Sequence, residues 1–207
     1  MASPFLPGRL LTFEEYFEFE QSSPLRHEFV AGEVYAMEGA SRRHSLIVSN
    51  IQARIHTAAG DGPCQVFAQG FMLRVGNNAY FPDVMVGCSA NDTEEYWARE
   101  PCLLVEVTSP STARIDRTNK LQDYRSIASL KAYLIVEQAW RRVVRHWCDE
   151  SGAWQQEDLR GDGTLLLPCP ELVLTFNQVY QGLAPLTVRE MEALGYGVDG
   201  APVIVPG

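Results

Sequence analysis

Hydrophobic and polar positions change their spacing along this chain, and each spacing predicts a different element. After Ser41, the residues Ile47, Ile51 and Ile55 recur every four positions and give one face an apolar character. The spacing predicts a helix that begins at Ser41 and ends at residues 60–63, where glycine and proline interrupt it.

A shorter helix and a hairpin are predicted before this helix. Residues 12–15, Thr-Phe-Glu-Glu, fit a capping box, in which the threonine caps the helix and the glutamate three positions later reaches back. This helix should run to about Gln21 and stop before Pro24. Residues 27–37 then predict two short strands around the turn Ala31-Gly32.

From residue 64 the pattern becomes that of strands. Residues 64–75 and 79–88 flank a turn at residues 76–78. Residues 102–109 and 132–137 are nearly continuous apolar runs, which are typical of strands buried on both faces. A helix is predicted over about residues 114–126, between these two strands.

The rest of the chain predicts further strands and a loosely held end. A hairpin is expected across residues 149–152, followed by two closing strands. The whole indicates a single domain over residues 1–207, with a core over about 11–180 and a loose tail over about 196–207. The expected fold class is α+β, or mixed α/β, with one central mixed sheet flanked by helices.

Composition narrows the class of protein. No apolar run reaches the roughly 20 residues that span a bilayer, and the first 20 residues lack the pattern of a secretory signal, so a cytoplasmic protein is expected. The net charge of −9 argues against broad adhesion to nucleic acid but not against a local basic groove. Five cysteines without a CxxC pair argue against a zinc site or a disulfide framework; Cys102 is expected to be a small core residue.

Three acidic residues and one lysine stand out by their positions. Glu106 lies within the apolar run LLVEVT, where a carboxylate needs a partner, a proton or a metal. Asp83 follows a proline at a strand end, and Glu33 lies in the second strand of the first hairpin. Lys120 is one of only two lysines, against 15 arginines, and could approach both Asp83 and Glu106 if its helix packs across the end of the Glu106 strand.

These residues suit metal-assisted hydrolysis of a phosphodiester. Mg²⁺ is usually held by one or two carboxylates and keeps waters and phosphate oxygens as its other ligands. A compact ammonium can orient a water and balance developing negative charge. Asp116, Lys120 and Tyr124 follow one another at intervals of four and form one stripe of the predicted helix, where Asp116 could equally be a helix cap.

The motifs FPDVMV, LLVEVTSPST and D-x-x-x-K-x-x-x-Y resemble those of the Uma2 family, also called DUF820, in the PD-(D/E)XK nuclease superfamily. LTFEEYFEFEQ and RHEFVAGEVYAMEGAS are similar to its N-terminal half, so the resemblance covers about residues 11–137 well. It implies a restriction-endonuclease-like core, a homodimer, and a Mg²⁺- or Mn²⁺-dependent endonuclease acting on DNA or RNA.

Residue roles follow from that resemblance position by position. Asp83 and Glu106 match the motif acids that bind the metal, Glu33 matches an upstream acid that completes the metal shell, and Lys120 matches a lysine on the following helix. Tyr124 and Asp116 would support that helix face. The superfamily's usual lysine position, two residues after the glutamate, holds Thr108 in this chain, which puts activity in doubt more than fold.

The sequence leaves alternative roles open for other positions and alternative functions open for the protein. His44 could be a ligand or a phosphate contact near a helix N-terminus, or a plain helix-start residue. Weak nucleic-acid contacts are expected from four arginines: Arg42, Arg43, Arg114 and Arg117. A dimeric binding or assembly protein that kept the fold but lost turnover is the alternative function. A glycosidase-like carboxylate pair is a third idea, which the placement of Lys120 disfavours.

Overall fold

The computed structural model describes residues 9–37, 39–68, 70–108 and 120–193. Within these ranges the chain forms one long helix, several shorter helices and many short strands. The helices are α1 (Phe13–Ser22), α2 (Arg42–Ala59), α3 (Leu121–Arg125), α4 (Phe176–Val179) and α5 (Val188–Ala193). The strands are β1 (His27–Val30), β2 (Glu33–Ala36), β3 (Gln65–Ala68), β4 (Met72–Val75), β5 (Asn78–Tyr80), β6 (Val84–Gly87), β7 (Trp97–Ala98), β8 (Pro101–Thr108), β9 (Ala132–Glu137), β10 (Arg142–Cys148), β11 (Trp154–Arg160), β12 (Thr164–Pro168) and β13 (Glu171–Thr175).

The central sheet has six strands in the order β11-β10-β9-β8-β6-β3. Strands β8 and β9 are parallel, and the other neighbours in the sheet are antiparallel, so the sheet is mixed as expected. All residues of β8 and β9 are buried, which confirms the prediction from their continuous apolar runs. Parallel strands require a crossover, and α3 lies in the connection between β8 and β9.

A second sheet of five strands, in the order β2-β1-β5-β4-β7, was not predicted. The two long strands expected at residues 64–75 and 79–88 each divide into two short strands that belong to different sheets. Gly70, at φ 115°, lies in the first break, and Phe81-Pro82 lie in the second. A positive φ and a missing amide donor both interrupt a ladder, so these residues let the chain change sheets.

Each face of the central sheet has its own apolar core. On one face α2 packs through Ile47, Ile51 and Ile55 against residues such as Val105. The β12–β13 hairpin and α4 complete this core. On the other face Leu104 packs with residues of β5 and α3. Consecutive residues of β8 thus serve opposite cores, and the second sheet covers the face that α2 leaves open.

The predicted N-terminal elements are confirmed. Thr12 accepts a hydrogen bond from the Glu15 amide, and Glu15 accepts one from the Thr12 amide, which completes the capping box. Ser41 caps α2, and Gly60 ends it. Tyr16 of α1 stacks on Phe29 of β1, with ring centroids 4.7 Å apart, which fixes the helix against the hairpin.

The cysteine expectation is wrong for four of the five cysteines. Cys64 is paired with Cys88 and Cys102 with Cys169, and Cys148 is free. The spacing rule missed them because they come from four separate strand ends that only the fold brings together. Cys102 is nevertheless buried in the core, as expected.

Some expectations fall outside the described residues. Asp116, Arg114, Arg117, the first part of the helix predicted from residue 114, and the tail over 196–207 all lie there. Among the described residues, no helix has the length and apolar composition needed to cross a membrane.

Candidate active site

Glu106 occupies the sixth position of β8, on the face that points toward the second sheet. Its neighbour Leu104, two positions earlier, lies in the core between the sheets, and strand alternation puts Glu106 on the same side. Only 6% of the Glu106 side chain is exposed. A carboxylate so buried requires compensation by hydrogen bonds or a cation.

Lys120 provides such a cation. Its Nζ lies 3.1 Å from Glu106 Oε1 and 2.7 Å from Glu28 Oε1. The lysine comes from the residue before α3, Glu106 from the central sheet and Glu28 from β1 of the second sheet. The Lys120 side chain is 6% exposed, and the Tyr80 ring centroid lies 5.9 Å from its ammonium. One buried ammonium therefore joins both sheets and the connection between β8 and β9.

Tyr124, one turn after Lys120, binds the same glutamate. Its hydroxyl donates to Glu106 Oε1 at 2.9 Å. Burial, followed by the nearby Glu106 charge, raises the pKa of Tyr124 well above its ordinary value, so the hydroxyl remains a donor. Lys120 and Tyr124, two of the three residues in the predicted stripe, both contact Glu106.

Asp123 fixes α3 to the second sheet. Its Oδ2 accepts hydrogen bonds from Asn78 Nδ2 at 2.6 Å and from the Tyr80 hydroxyl at 2.5 Å. Both donors belong to β5. This anchor holds the helix that carries Tyr124 and follows Lys120.

Asp83 lies beside Glu106 at the start of the neighbouring strand. It directly precedes Val84, whose partner in β8 is Val105, so the antiparallel register continued by one residue sets Asp83 opposite Glu106. Asp83 Oδ2 accepts a hydrogen bond from the Val107 amide at 2.7 Å and lies 3.1 Å from His44 Nε2. Within the described part of the chain only Oδ2 makes such contacts, which leaves Oδ1 available to a ligand.

His44, expected as a ligand, an anion contact or a plain helix-start residue, contacts Asp83. It lies in the first turn of α2, and its Nδ1 is buried without a hydrogen-bond partner among the described residues. The helix start therefore positions Asp83 from one side while the β8 backbone holds it from the other.

Glu33 does not join these groups. Its side chain is exposed on β2, an edge strand, and its carboxylate accepts a hydrogen bond from Tyr35. Glu28 is the hairpin glutamate that reaches the site. Register pairs Val30 with Glu33 and Glu28 with Tyr35, so both glutamates lie on one face of the hairpin. Glu28 is mostly covered, with 13% of its side chain exposed, because β1 is an inner strand flanked by β2 and β5.

Thr108, at the position where the superfamily has its lysine, is fully buried. Its hydroxyl donates to Glu137 Oε2 at 3.0 Å, on the parallel neighbour strand β9. The hydroxyl thus has a structural partner, and the ammonium beside Glu106 comes from Lys120 instead.

Arg42 and Arg43, the two described arginines expected as nucleic-acid contacts, have different surroundings. Arg43 donates to two main-chain carbonyls, of Gln138 at 3.1 Å and of Ala184 at 2.8 Å, and burial lowers its pKa. Its guanidinium therefore ties α2 to later parts of the chain. Arg42 is exposed and remains available to a ligand.

The donor set fits a hard divalent cation with few protein ligands. Asp83 and Glu106 offer carboxylate oxygens from adjacent strands, and Mg²⁺ commonly uses one or two carboxylates with waters and phosphate oxygens. Among the described residues, no set of three Asp, Glu or His ligand atoms lies within 4.8 Å of one another. The residues thus fit a two-carboxylate site rather than an all-protein cage.

A mixed sheet with one acid just before a strand, a second acid within the neighbouring strand, and a lysine beside the second acid is consistent with the restriction-endonuclease-like class. The chain belongs to the Uma2 family: the family model, described as "Putative restriction endonuclease", matches residues 13–184.

Two relatives and one solved structure support this placement. The uncharacterized protein slr1290 of Synechocystis sp. is 30% identical over 185 residues, covering 88% of this chain and 97% of its own. A second uncharacterized Synechocystis protein, sll1609, is 28% identical over 159 residues, covering 74% and 90%. The crystal structure of "a putative nuclease belonging to DUF820" from Anabaena variabilis matches with a TM-score of 0.68 at 15% identity, covering 82% of this chain and 97% of that one. At that identity the match shows the fold.

Proposed function

We propose that this protein is a divalent-metal-dependent endonuclease that hydrolyses phosphodiester bonds of DNA. Asp83 and Glu106 are the metal ligands, and Lys120 is the catalytic cation. Glu28 has the role of the upstream acid, which was predicted for Glu33 from the sequence. Family membership supports a nuclease, and the arrangement of these side chains supports the particular roles.

The observation that carries the proposal is the contact of 3.1 Å between Lys120 Nζ and Glu106 Oε1. Thr108 leaves the usual lysine position without a cation, and a lysine 14 positions after the glutamate supplies one at the same carboxylate. A chance surface lysine would be exposed, whereas Lys120 is buried between two acids.

The chain's own groups would act in the following way. A bound Mg²⁺ or Mn²⁺ would supply Lewis-acid polarisation of the phosphate and activation of a water. Glu106 is oriented by the Tyr124 hydroxyl, and Asp83 by the Val107 amide and His44. The ammonium of Lys120 would hold the attacking water and stabilise the charge that develops on the phosphate oxygens. Glu28 keeps that ammonium in place.

Nicking of supercoiled plasmid tests the proposal. The wild type, Glu106→Gln and Asp83→Asn would be incubated with plasmid and with a single-stranded RNA, in Mg²⁺, in Mn²⁺ and in chelator. Nicking that requires metal and is lost in both variants supports the endonuclease. Cleavage of RNA alone would overturn DNA as the substrate. Nicking unchanged in both variants would mean that another site, or a contaminant, does the chemistry.

A binding or assembly protein is the second candidate, and one observation favours it. The ammonium of Lys120 already pairs with both nearby glutamates, so the cluster can serve as a structural ion-pair network without a metal. Isothermal titration of Mn²⁺ into wild type and Glu106→Gln separates the candidates. Heat of binding that Glu106→Gln abolishes supports the nuclease, and no binding in a folded wild type supports the binding protein.

A further inference from the structure

Four of the five cysteines meet at one place in the fold. Cys64 precedes β3, Cys88 follows β6, Cys102 is the second residue of β8, and Cys169 lies in the turn between β12 and β13. Since β8, β6 and β3 are neighbours in the central sheet, three of these positions share one end of it. The fourth comes from the hairpin that packs on the same core.

Three of the four sulfur atoms are close enough for one ion, and the fourth, of Cys102, lies beside two of them. Those of Cys64, Cys88 and Cys169 all lie within 4.8 Å of one another. Cys88 Sγ lies 3.3 Å from Cys102 Sγ and 3.2 Å from Cys169 Sγ, although the disulfides join other pairs. A tetrahedral Zn²⁺ site with bonds of about 2.3 Å has sulfur–sulfur edges of about 3.8 Å. Rotation about the Cα–Cβ bonds, above all that of Cys102, would bring four thiolates to that geometry.

The cluster is separate from the candidate active site. Asp83 and Glu106 lie at one end of the β6–β8 pair, and Cys88 and Cys102 lie at the other. Five residues of extended chain separate Asp83 from Cys88, which corresponds to roughly 16 Å. A metal bound by the cysteines would therefore not contact the carboxylates.

We propose that, with its cysteines reduced, the protein binds one thiophilic divalent cation, Zn²⁺, through Cys64, Cys88, Cys102 and Cys169. Four thiolates form a closed ligand set of the structural type, which leaves no position for a substrate. Sulfur ligands select Zn²⁺ over Mg²⁺ and Mn²⁺, which prefer the oxygen ligands of the other site. The protein thus has a hard site and a soft site at opposite ends of one strand pair.

The structural consequence concerns the C-terminal hairpin. Strands β12 and β13 pair only with each other among the described residues, so no ladder hydrogen bonds join them to the central sheet. Cys102 and Cys169 are buried, while Cys64 and Cys88 are half-buried at the rim of the same core. A cation shared by Cys169 and the three sheet cysteines would fasten the hairpin to the sheet.

Zinc titration of the reduced full-length chain tests this. The chain would first be reduced with a phosphine, and a thiol assay should then count five free thiols. Zn²⁺ would next be added in competition with a chromophoric chelator. One equivalent should bind per chain. Cys88→Ser and Cys169→Ser should each lower the affinity by more than the 10- to 100-fold that loss of an outer-shell partner costs. Co²⁺ in place of Zn²⁺ should give sulfur-to-metal charge-transfer absorption in the near ultraviolet.

Two matched controls separate this site from the others. Cys148→Ser removes the free cysteine, and Glu106→Gln removes the carboxylate ligand proposed for Mg²⁺; both should keep full zinc binding. Circular dichroism of each variant shows whether it has folded. A reduced wild type that leaves zinc with the chelator, or zinc binding unchanged in folded Cys88→Ser and Cys169→Ser, would overturn the proposal and leave the cysteines as two disulfides. Neither result bears on the nuclease.

Discussion

Lys120 Nζ lies 3.1 Å from Glu106 Oε1, although the lysine precedes a helix and the glutamate belongs to a central strand. The same nitrogen lies 2.7 Å from Glu28 Oε1. This contact joins the two sheets at the point where the candidate metal ligands lie. Stability and activity should therefore depend on the same side chain, and variants are needed that separate the two.

Lys120→Met should destabilise the protein strongly. The change removes the ammonium that contacts Glu28 and the buried Glu106, and removal of one partner from a buried ion pair costs roughly 3–5 kcal/mol. Urea denaturation followed by circular dichroism gives the free energy of unfolding. Lys131, the only other lysine, is exposed, and Lys131→Met should stay within about 0.5 kcal/mol of wild type. Equal stability of the two variants would show that Lys120 does not neutralise these acids.

Lys120→Arg should fold but not cleave. The positive charge is retained, whereas the larger, planar guanidinium directs its donors differently from a compact ammonium between the two carboxylates. We expect metal-dependent plasmid nicking to fall by about 100-fold or more. Lys131→Arg is the matched control and should nick at the wild-type rate. If Lys120→Arg nicks normally, charge alone is sufficient and the positioning role assigned to the ammonium is wrong.

Glu28→Gln and Glu33→Gln make a pair that distinguishes the two hairpin glutamates. Glu28 contacts Lys120 from the inner strand, and Glu33 is exposed on the edge strand. Glu28→Gln should reduce nicking by at least about 10-fold, because the ammonium loses the anion that orients it. Glu33→Gln should leave nicking unchanged. The reverse result would support the role that the family resemblance implies for Glu33.

Local patterns were enough to predict much of this fold. The capping box, the apolar face of α2 and the continuous runs of β8 and β9 each depend on residues close in sequence, and the structure confirms all of them. The division of residues 64–75 and 79–88 between two sheets was not predicted, because both halves of each run have strand-like composition. The choice of sheet depends on partners distant in sequence.

Prediction of the candidate site from the sequence has the same limit. Asp83, Glu106 and Lys120 could be picked out because a carboxylate in an apolar strand and a rare lysine are unusual in themselves. Glu28 was missed in favour of Glu33 because the two have similar local sequence, and only the pairing of β1 with β5 makes one strand inner and the other edge. The cysteine cluster was missed because its members lie far apart along the chain.

Tyr124→Phe should weaken both the fold and the metal site. The hydroxyl donates to Glu106 from a fully buried position, and a hydrogen bond to a charged group contributes about 1.5–3 kcal/mol. The free energy of unfolding should fall by roughly that amount, and Mn²⁺ affinity should fall because Glu106 loses one of its orienting partners. Tyr35→Phe, which removes an exposed hydroxyl from Glu33, is the control. Unchanged stability in Tyr124→Phe would contradict the contact.

His146 should make stability depend on pH. Its ring is 2% exposed, and its Nδ1 lies 3.2 Å from the Arg125 guanidinium. Burial, followed by the Arg125 charge, lowers the pKa of His146 from 6.5 to about 4. The unfolded chain therefore binds a proton between these values that the folded chain does not, so the stabilisation is complete above pH 6.5 and is lost as the pH falls toward 4.

Protonation of His146 in the unfolded chain should lower the free energy of unfolding by about 2 kcal/mol between pH 7 and pH 5. Urea denaturation at both pH values would measure the difference for wild type and for His146→Phe, which keeps a ring of similar size but does not titrate. The decrease in the free energy of unfolding should be smaller in His146→Phe by about that amount. The control, His56→Gln, changes an exposed histidine at the end of α2 and should show the same decrease as wild type. An equal loss in His146→Phe and wild type would place the acid sensitivity at other groups.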